Sequence, residues 1–181
     1  MVHADGSQMS GHLPGVAQQT AVVTGASSGI GLHTALGLAR TGIRVIMTGR
    51  DRTRTEAARR FVIERSGSDR VEIALADFSS LAEVRRLADQ ILADASRLDL
   101  LVNNAGLMSP KYRFSFDGFE LTFAVNHLAP FLLTNLLLAR LQGAPILWLR
   151  KLTKIELVAA MCLRCDGDDP RRSRSLKPSE Q

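Results

Sequence analysis

The segment Thr24-Gly25-Ala26-Ser27-Ser28-Gly29-Ile30-Gly31 constrains this chain more than any other. It follows the apolar run Ala21-Val22-Val23 and precedes the helix-like stretch Leu32 to Arg40, so it reads as the turn of a strand-turn-helix unit. The three glycines have separate uses. Gly25 permits a sharp exit from the strand, Gly29 lets backbone N–H groups come close to a pyrophosphate, and Gly31 lets helix and strand pack tightly. The anion would sit at the helix N-terminus, where unpaired N–H donors and the helix dipole favour negative charge. A plain Gly/Ser turn is the competing reading, and the order of the glycines between a strand and a helix argues against it.

The rest of the chain supplies the sheet that such a turn needs. Apolar runs at Ala21–Thr24, Ile43–Met47, Val71–Leu75 and Leu100–Val102 alternate with longer amphipathic stretches. This is the pattern of a parallel sheet with helices on both faces. The clearest helix starts with Ser79 as its N-cap and places Leu81, Val84, Leu87, Ala88, Ile91 and Leu92 on one side, with Glu83, Arg85, Arg86 and Asp89 turned outward. A second runs from Arg52 to Glu64 and is ended by Ser66-Gly67-Ser68. With 181 residues, 45% of them hydrophobic, one core can form. The expected fold is α/β, an open doubly wound parallel sheet of the Rossmann type, over residues 20–149 and incomplete in its C-terminal part.

Charge and composition exclude several functions. The net charge is +5, but residues 150–181 alone hold eight Lys/Arg against five Asp/Glu, so the folded part carries no basic face for nucleic acid. Residues 1–19 have no cationic start and no apolar centre; they read as a flexible segment rather than a targeting peptide, and a cytoplasmic location is expected. Cys162 and Cys165 supply at most half of a zinc site, so no metal is expected. From Leu121 to Ala139 there is no formal charge, yet Asn126, His127, Thr134 and Asn135 interrupt the run and Pro130 sits in its middle. A helix buried between the sheet and a partner subunit is expected there instead of a membrane span, with Phe119, Phe123, Phe131, Leu132, Leu136 and Leu137 as core or homo-oligomer packing.

Taken with Asn103-Asn104-Ala105-Gly106 after the fourth apolar run and Asn126 in the following helix, the glycine turn resembles the short-chain dehydrogenases/reductases over about residues 20–142. Asp117-Gly118-Phe119-Glu120 and the stretch Asn126 to Thr134 look most like the retinol-dehydrogenase and protochlorophyllide-reductase branch. The resemblance implies a nicotinamide dinucleotide held by Gly25, Ser27, Ser28, Gly29, Ile30, Gly31, Arg50, Asp77, Phe78, Asn104, Ala105 and Gly106. Asp77 would bind the adenine amino group, unless it merely caps the next helix. Asn126 would hold the family's water relay, and Pro130, which has no N–H, would kink the helix and free the Asn126 carbonyl. The substrate would be a small, lipophilic carbonyl or alcohol.

The end of the second strand bears on the choice of cofactor. The sequence there is Thr48-Gly49-Arg50-Asp51-Arg52, and the first residue past the strand is a guanidinium suited to a 2′-phosphate. NADP is expected, with NAD still open because a one-residue shift would bring Asp51 to the ribose.

The proton-transfer machinery is where the chain departs from the resemblance. The family uses a Tyr, a Lys four residues later, a Ser and an Asn, and here no Tyr-x-x-x-Lys occurs. The one tyrosine, Tyr112, is followed four residues later by Phe116. His33 and His127 read as helix residues packed near the cofactor half. Ile146–Leu149 suits a fifth strand but leads to no Ser-Ser segment, and 150–181 reads as a disordered tail. The expectation is a truncated or frame-shifted member, weakly active or inactive, with an exposed edge where the fifth strand belongs. A non-catalytic nucleotide-binding or regulatory protein, and a fragment that never folds stably, are the alternatives.

Overall fold

The computed structural model describes residues 18–141 and 146–148. The expectations for residues 1–17, for the tail 150–181 and for Cys162 and Cys165 lie outside them. In chain order the elements are β1 (Thr20–Val23), α1 (Gly29–Arg40), β2 (Arg44–Gly49), α2 (Arg52–Ser66), β3 (Val71–Leu75), α3 (Leu81–Asp94), β4 (Leu100–Asn103), α4 (Leu121–Phe123), α5 (Ala129–Leu137) and β5 (Ile146–Trp148). The strands form one parallel sheet in the order β3-β2-β1-β4-β5. The expected α/β class and doubly wound topology are therefore found. β1 is central because it is short, apolar and wholly buried, as a strand flanked on both edges and both faces must be.

Strand alternation divides the core into two layers. Val22, Ile46 and Leu101 face α3 and α5, meeting Val84, Leu87, Ile91, Leu133 and Leu137. Val23, Val45, Met47 and Val102 face α1 and α2, meeting Ala35, Leu36, Ala58 and Val62. Near its start, β1 is tied to the turn before β4: Thr20 N–H donates to the Asp99 carboxylate at 2.9 Å and Asp99 N–H returns to Thr20 O at 2.9 Å.

Several expectations are corrected. The N-cap of α3 is Ser80, which accepts from Glu83 N–H, because Ser79 spends its hydroxyl on the Asp77 carboxylate at 2.7 Å. β5 is present and pairs with β4 through Leu101–Ile146 to Asn103–Trp148, so β4 is not a bare edge. Of the residues expected as core or homo-oligomer packing, Leu137 is fully buried and Leu132 and Leu136 pack against the core, while Phe119, Phe123 and Phe131 are 44%, 49% and 57% exposed on the single chain. The helical run has one apolar face and α3 takes only that face; the phenylalanines lie off it. Leu121–Arg140 is long and apolar enough to cross a membrane by length and composition only, and 39% of its apolar 18-residue stretch is buried in the protein.

The break expected at Pro130 lies upstream of it. Ala124–Leu128 is a π turn in which Ala129 N–H reaches back five residues to Ala124 O, and Pro130 then occupies the first turn of α5. The helix runs on from the π turn into α5, so Pro130 has no N–H to return to the Asn126 carbonyl, and the turn just before it is widened to an i→i+5 pattern.

Candidate functional site

The carboxyl ends of β1, β2, β3 and β4 converge on a cavity of about 220 Å³. Its wall includes Gly25, Ser27 and Ser28 from the glycine turn, Arg50 and Arg54 beyond β2, Asp77 and Phe78 beyond β3, and Asn104, Ala105 and Gly106 beyond β4. Open parallel sheets place ligands at such a crevice. Nine of the residues expected from the sequence thus come together, and Arg54, Thr48, Gly49, Ala76, Leu107 and Val125 join them.

The glycine turn is braced across the sheet. Gly25 has φ +63° and an added Cβ would lie 2.8 Å from the Ala105 Cα, so both its conformation and its surroundings require glycine. Thr24, fully buried, donates its hydroxyl to Val102 O at 3.3 Å and accepts from the N–H groups of Asn104 at 3.0 Å and Ala105 at 2.9 Å. Asn104 returns its amide Nδ2 to Thr24 O at 2.8 Å and Gly25 O at 3.1 Å. Its Oδ1 is buried without a partner among the described residues. Ala26 N–H donates to Thr48 O at 2.9 Å, fixing the turn to β2 as well.

Gly31 does not pack helix on strand as expected. A Cβ there would run into Asn104 Nδ2 and lie 2.6 Å from Gly25 O, so the glycine seats α1 on the turn itself and on Asn104. Gly29, Ile30 and Gly31 form the first turn of α1 and are not part of the cavity wall; Ile30 is 56% exposed. Around Gly29 a Cβ would meet nothing within 4 Å, leaving open space above the turn.

Helix capping separates α1 from its neighbours. Asp51 caps α2 by accepting from Arg54 N–H at 2.8 Å, Ser80 caps α3, and Glu120 caps α4 by accepting from Thr122 and Phe123 N–H at 2.9 and 2.8 Å. Those two donors hold the Glu120 carboxyl below the usual carboxylate range. Ser28 at the start of α1 makes no side-chain cap bond, and the first turn holds no acidic residue. An uncapped N-terminus retains donors for an anion.

Asp77 turns one carboxylate oxygen inward: Oδ1 accepts from Ser79 N–H at 2.9 Å and Ser79 Oγ, while its own N–H donates to Glu83 at 2.8 Å. It therefore shapes the turn before α3 without capping the helix, and Oδ2 keeps its lone pairs. Asn126 lies outside the cavity wall and is exposed, in the π turn. Its side-chain amide is engaged with the backbone of Leu107, which does line the cavity. Tyr112 is 75% exposed, edge to face with Phe114 at 5.2 Å, and is not part of the cavity wall. His33 and His127 are exposed rather than packed near the cavity; His127 stacks between Phe123 and Phe131. Among the described residues no group of three His, Cys, Asp or Glu side chains is placed to hold a metal ion.

The uncapped helix end, the open space over Gly29 and two guanidinium groups on the same wall fit a dinucleotide with its phosphates. The fold and this crevice place the chain among the nucleotide-binding α/β proteins. Residues 19–145 match the short chain dehydrogenase family, and the chain belongs to it. It is 43% identical to human retinol dehydrogenase 13 over 126 residues, 70% of this chain and 38% of that protein. It is 47% identical to the chloroplastic protochlorophyllide reductase of Chlamydomonas reinhardtii over 132 residues, 71% of this chain and 33% of that protein. The chain thus spans well under half the length of these curated relatives. A metagenomic short-chain oxidoreductase crystallised with NADP superposes with a TM-score of 0.65 at 31% identity, covering 79% of this chain and 67% of that one. An uncharacterized protein from Mycobacterium paratuberculosis superposes at 0.61 with 46% identity, covering 72% and 46%.

Proposed function

We propose that residues 20–141 are the coenzyme-binding part of an NADP(H)-dependent oxidoreductase acting on a carbonyl or alcohol, and that the chain as written binds coenzyme without turning substrate over at the rates of its family. The uncapped N-terminus of α1 carries the first half of this reading, because every other helix that starts from a described loop has its first turn satisfied by a side chain. Gly25 to Ser28 and the first turn of α1 would take the diphosphate, Asp77 Oδ2 and Phe78 the adenine, and Asn104 to Gly106 the adjoining ribose. Arg50, at the end of β2, would take the 2′-phosphate. Asp51 supports NADP over NAD from the other side, since its carboxylate is committed to the cap of α2. A bound nicotinamide would supply or accept hydride.

The second half rests on chemistry. A positioned proton donor contributes about 10²–10⁴-fold to such a reaction, and Tyr112, exposed in its loop and followed by no lysine four residues on, does not supply one. Asn126 holds the loop at Leu107 and would orient the far end of the crevice rather than exchange the proton itself.

Titration of the purified chain with NADPH and NADH tests the first half. NADPH should bind more tightly, and Arg50→Asp should reverse the preference, a charge-assisted contact being worth about ten- to a hundredfold; equal affinities in the unmutated protein would refute it. Following NADPH absorbance with aldehydes, ketones and retinoid-like alcohols tests the second. Turnover of several per second surviving Tyr112→Phe would expose another proton donor, and turnover lost in that variant would make Tyr112 the catalyst.

A further inference from the structure

The connection between β4 and α4 reaches both sides of the crevice. It leaves β4 through Asn104 to Leu107, which line one wall, and residues 115–118 then meet the turn between β3 and α3, which carries Asp77 and Phe78 on the other. Two bonds make this second contact. Phe116 N–H donates to Ser79 O at 3.0 Å, and the Asp117 carboxylate accepts from Leu81 N–H at 2.8 Å, 36 residues away in sequence. The loop that supplies them is itself fixed. Its buried Ser115 hydroxyl accepts from the N–H groups of Asp117 at 3.3 Å and Phe119 at 3.2 Å, and Gly118 turns the chain at φ +79°.

Starting α3 does not require Asp117. Ser80 already caps the helix by accepting from Glu83 N–H at 3.4 Å, and Ser80 O takes the N–H of Val84. The bond from Asp117 falls instead two residues after Ser79, which is the residue that holds Asp77. Ser79 gives its N–H and its hydroxyl to Asp77 Oδ1 at 2.9 and 2.7 Å, and Asp77 O accepts from Ser80 N–H at 3.0 Å. The loop thus grips Ser79 on its carbonyl through Phe116 and just downstream through Asp117. A carboxylate with one oxygen tied has its other oxygen aimed only as well as the tie is anchored, so the facing of Asp77 Oδ2 follows from where the loop holds Ser79.

We infer that Asp117 is a positioning residue for the base end of the coenzyme: it lies outside the cavity wall, and by anchoring the β3–α3 turn it fixes Ser79 and, through Ser79, the Asp77 oxygen that would accept from the adenine amino group. The inference rests on the proposed coenzyme site. It places control of base recognition on an exposed loop residue that belongs to a different connection of the sheet, and losing the tie should blur the distinction between bases before it unfolds the domain.

The test measures dissociation constants of the full-length chain for NADPH and for its hypoxanthine counterpart, which presents a carbonyl oxygen where adenine has its amino group. Thermal unfolding is followed in parallel. The unmutated chain should favour NADPH by about tenfold or more, as expected for a hydrogen bond to a charged acceptor, and Asp77→Ala should erase the preference. Asp117→Ala should stay folded and reduce the preference by about threefold or more, and Asp117→Asn, which keeps an acceptor oxygen, should restore it. Asp99→Ala removes a similar carboxylate-to-N–H tie, to Thr20 at the opposite end of the sheet, and should lower thermal stability with the preference intact. A folded Asp117→Ala that discriminates as the unmutated chain does overturns the role of Asp117 alone. If the alanine variant does not fold, Asp117→Glu, which keeps the charge and displaces the acceptor, decides by the same ratio. A preference lost equally in Asp99→Ala would reduce the effect to general stability and also overturn the inference. An unmutated chain that binds both dinucleotides equally, or neither, overturns the Asp77 reading of the site and the inference with it.

Discussion

The side-chain amide of Asn126 is hydrogen-bonded in both directions to the backbone of Leu107: Oδ1 accepts from the N–H at 2.9 Å and Nδ2 donates to the C=O at 2.8 Å. One side chain thus replaces a rung of sheet, holding the strand-end loop that carries Asn104 to Leu107 to the helical layer. Because Asn126 is exposed, water can take over both backbone groups, so Asn126→Ala should cost only about 1 kcal/mol of stability while loosening the crevice wall at Leu107. Asn126→Asp, which keeps the acceptor and loses the donor, should fall between the two proteins. Urea denaturation and NADPH titration of the three proteins check this; a loss of stability with unchanged coenzyme affinity would show that the clamp does not shape the site.

Two glycines of α1 should respond in opposite directions to the same change. At Gly31 a Cβ collides with Asn104 and with Gly25 O at 2.6 Å, so Gly31→Ala should destabilise by about 1–3 kcal/mol or more and abolish coenzyme binding. At Gly37 a Cβ meets nothing within 4 Å, so Gly37→Ala should stabilise by about 0.5–1 kcal/mol through helix propensity and a less flexible unfolded chain. Thermal unfolding of both variants gives the comparison.

Leu133 and Phe131 are two residues apart on α5, one fully buried and the other 57% exposed. Leu133→Ala should cost about 2–5 kcal/mol by opening a cavity against α3 and the sheet. Phe131→Ser, which gives up only a stacking contact with His127 at 6.4 Å, should stay within about 0.5 kcal/mol. A large loss at Phe131 measured in dilute protein would mean that its ring is covered in solution.

A hydrogen bond from Arg44 holds the Glu72 carboxyl below its usual range, and the two side chains meet at 2.7 Å across β2 and β3. A carboxylate whose folded pKa is depressed adds stability above its unfolded pKa and loses it as pH falls through the folded one. The contribution should therefore be complete near neutrality and fade on acidification from just above the ordinary carboxylate pKa to below it. With Glu72 48% exposed, solvent screening keeps the effect below about 1 kcal/mol. Glu72→Gln should reduce the slope of stability against pH in that acidic window and leave it unchanged above; parallel curves would refute the assignment.

The sheet was legible because burial on both faces writes itself as apolar runs, and β1, β3 and β4 fall within a residue of theirs. The crevice was legible for a related reason: its residues follow strand ends, and strand ends were known. Arg54 was missed since it lies on a helix, where an arginine has no motif to mark it; the signal was its place one turn after a residue already chosen, Arg50. The phenylalanines were only half legible, because hydrophobicity alone does not say which side of a helix packs in the core of its own chain, and α3 covers one face only. The cap of α3 is not legible in the sequence because the choice between Ser79 and Ser80 depends on Asp77, whose carboxylate claims the first of them.

Thr24 sets an order on the making of this molecule. Its hydroxyl meets Asn104 and Ala105, 80 and 81 positions further along the chain, so on a ribosome the glycine turn emerges long before the residues that give it its shape. Contacts this distant are late and slow to form. Until β4 is inserted beside β1, the octapeptide lacks the partners that brace it, and a polypeptide released before Leu100 would carry the whole recognition sequence without the Asn104 side of the crevice. The nucleotide-binding motif is contiguous in writing but not in physical construction.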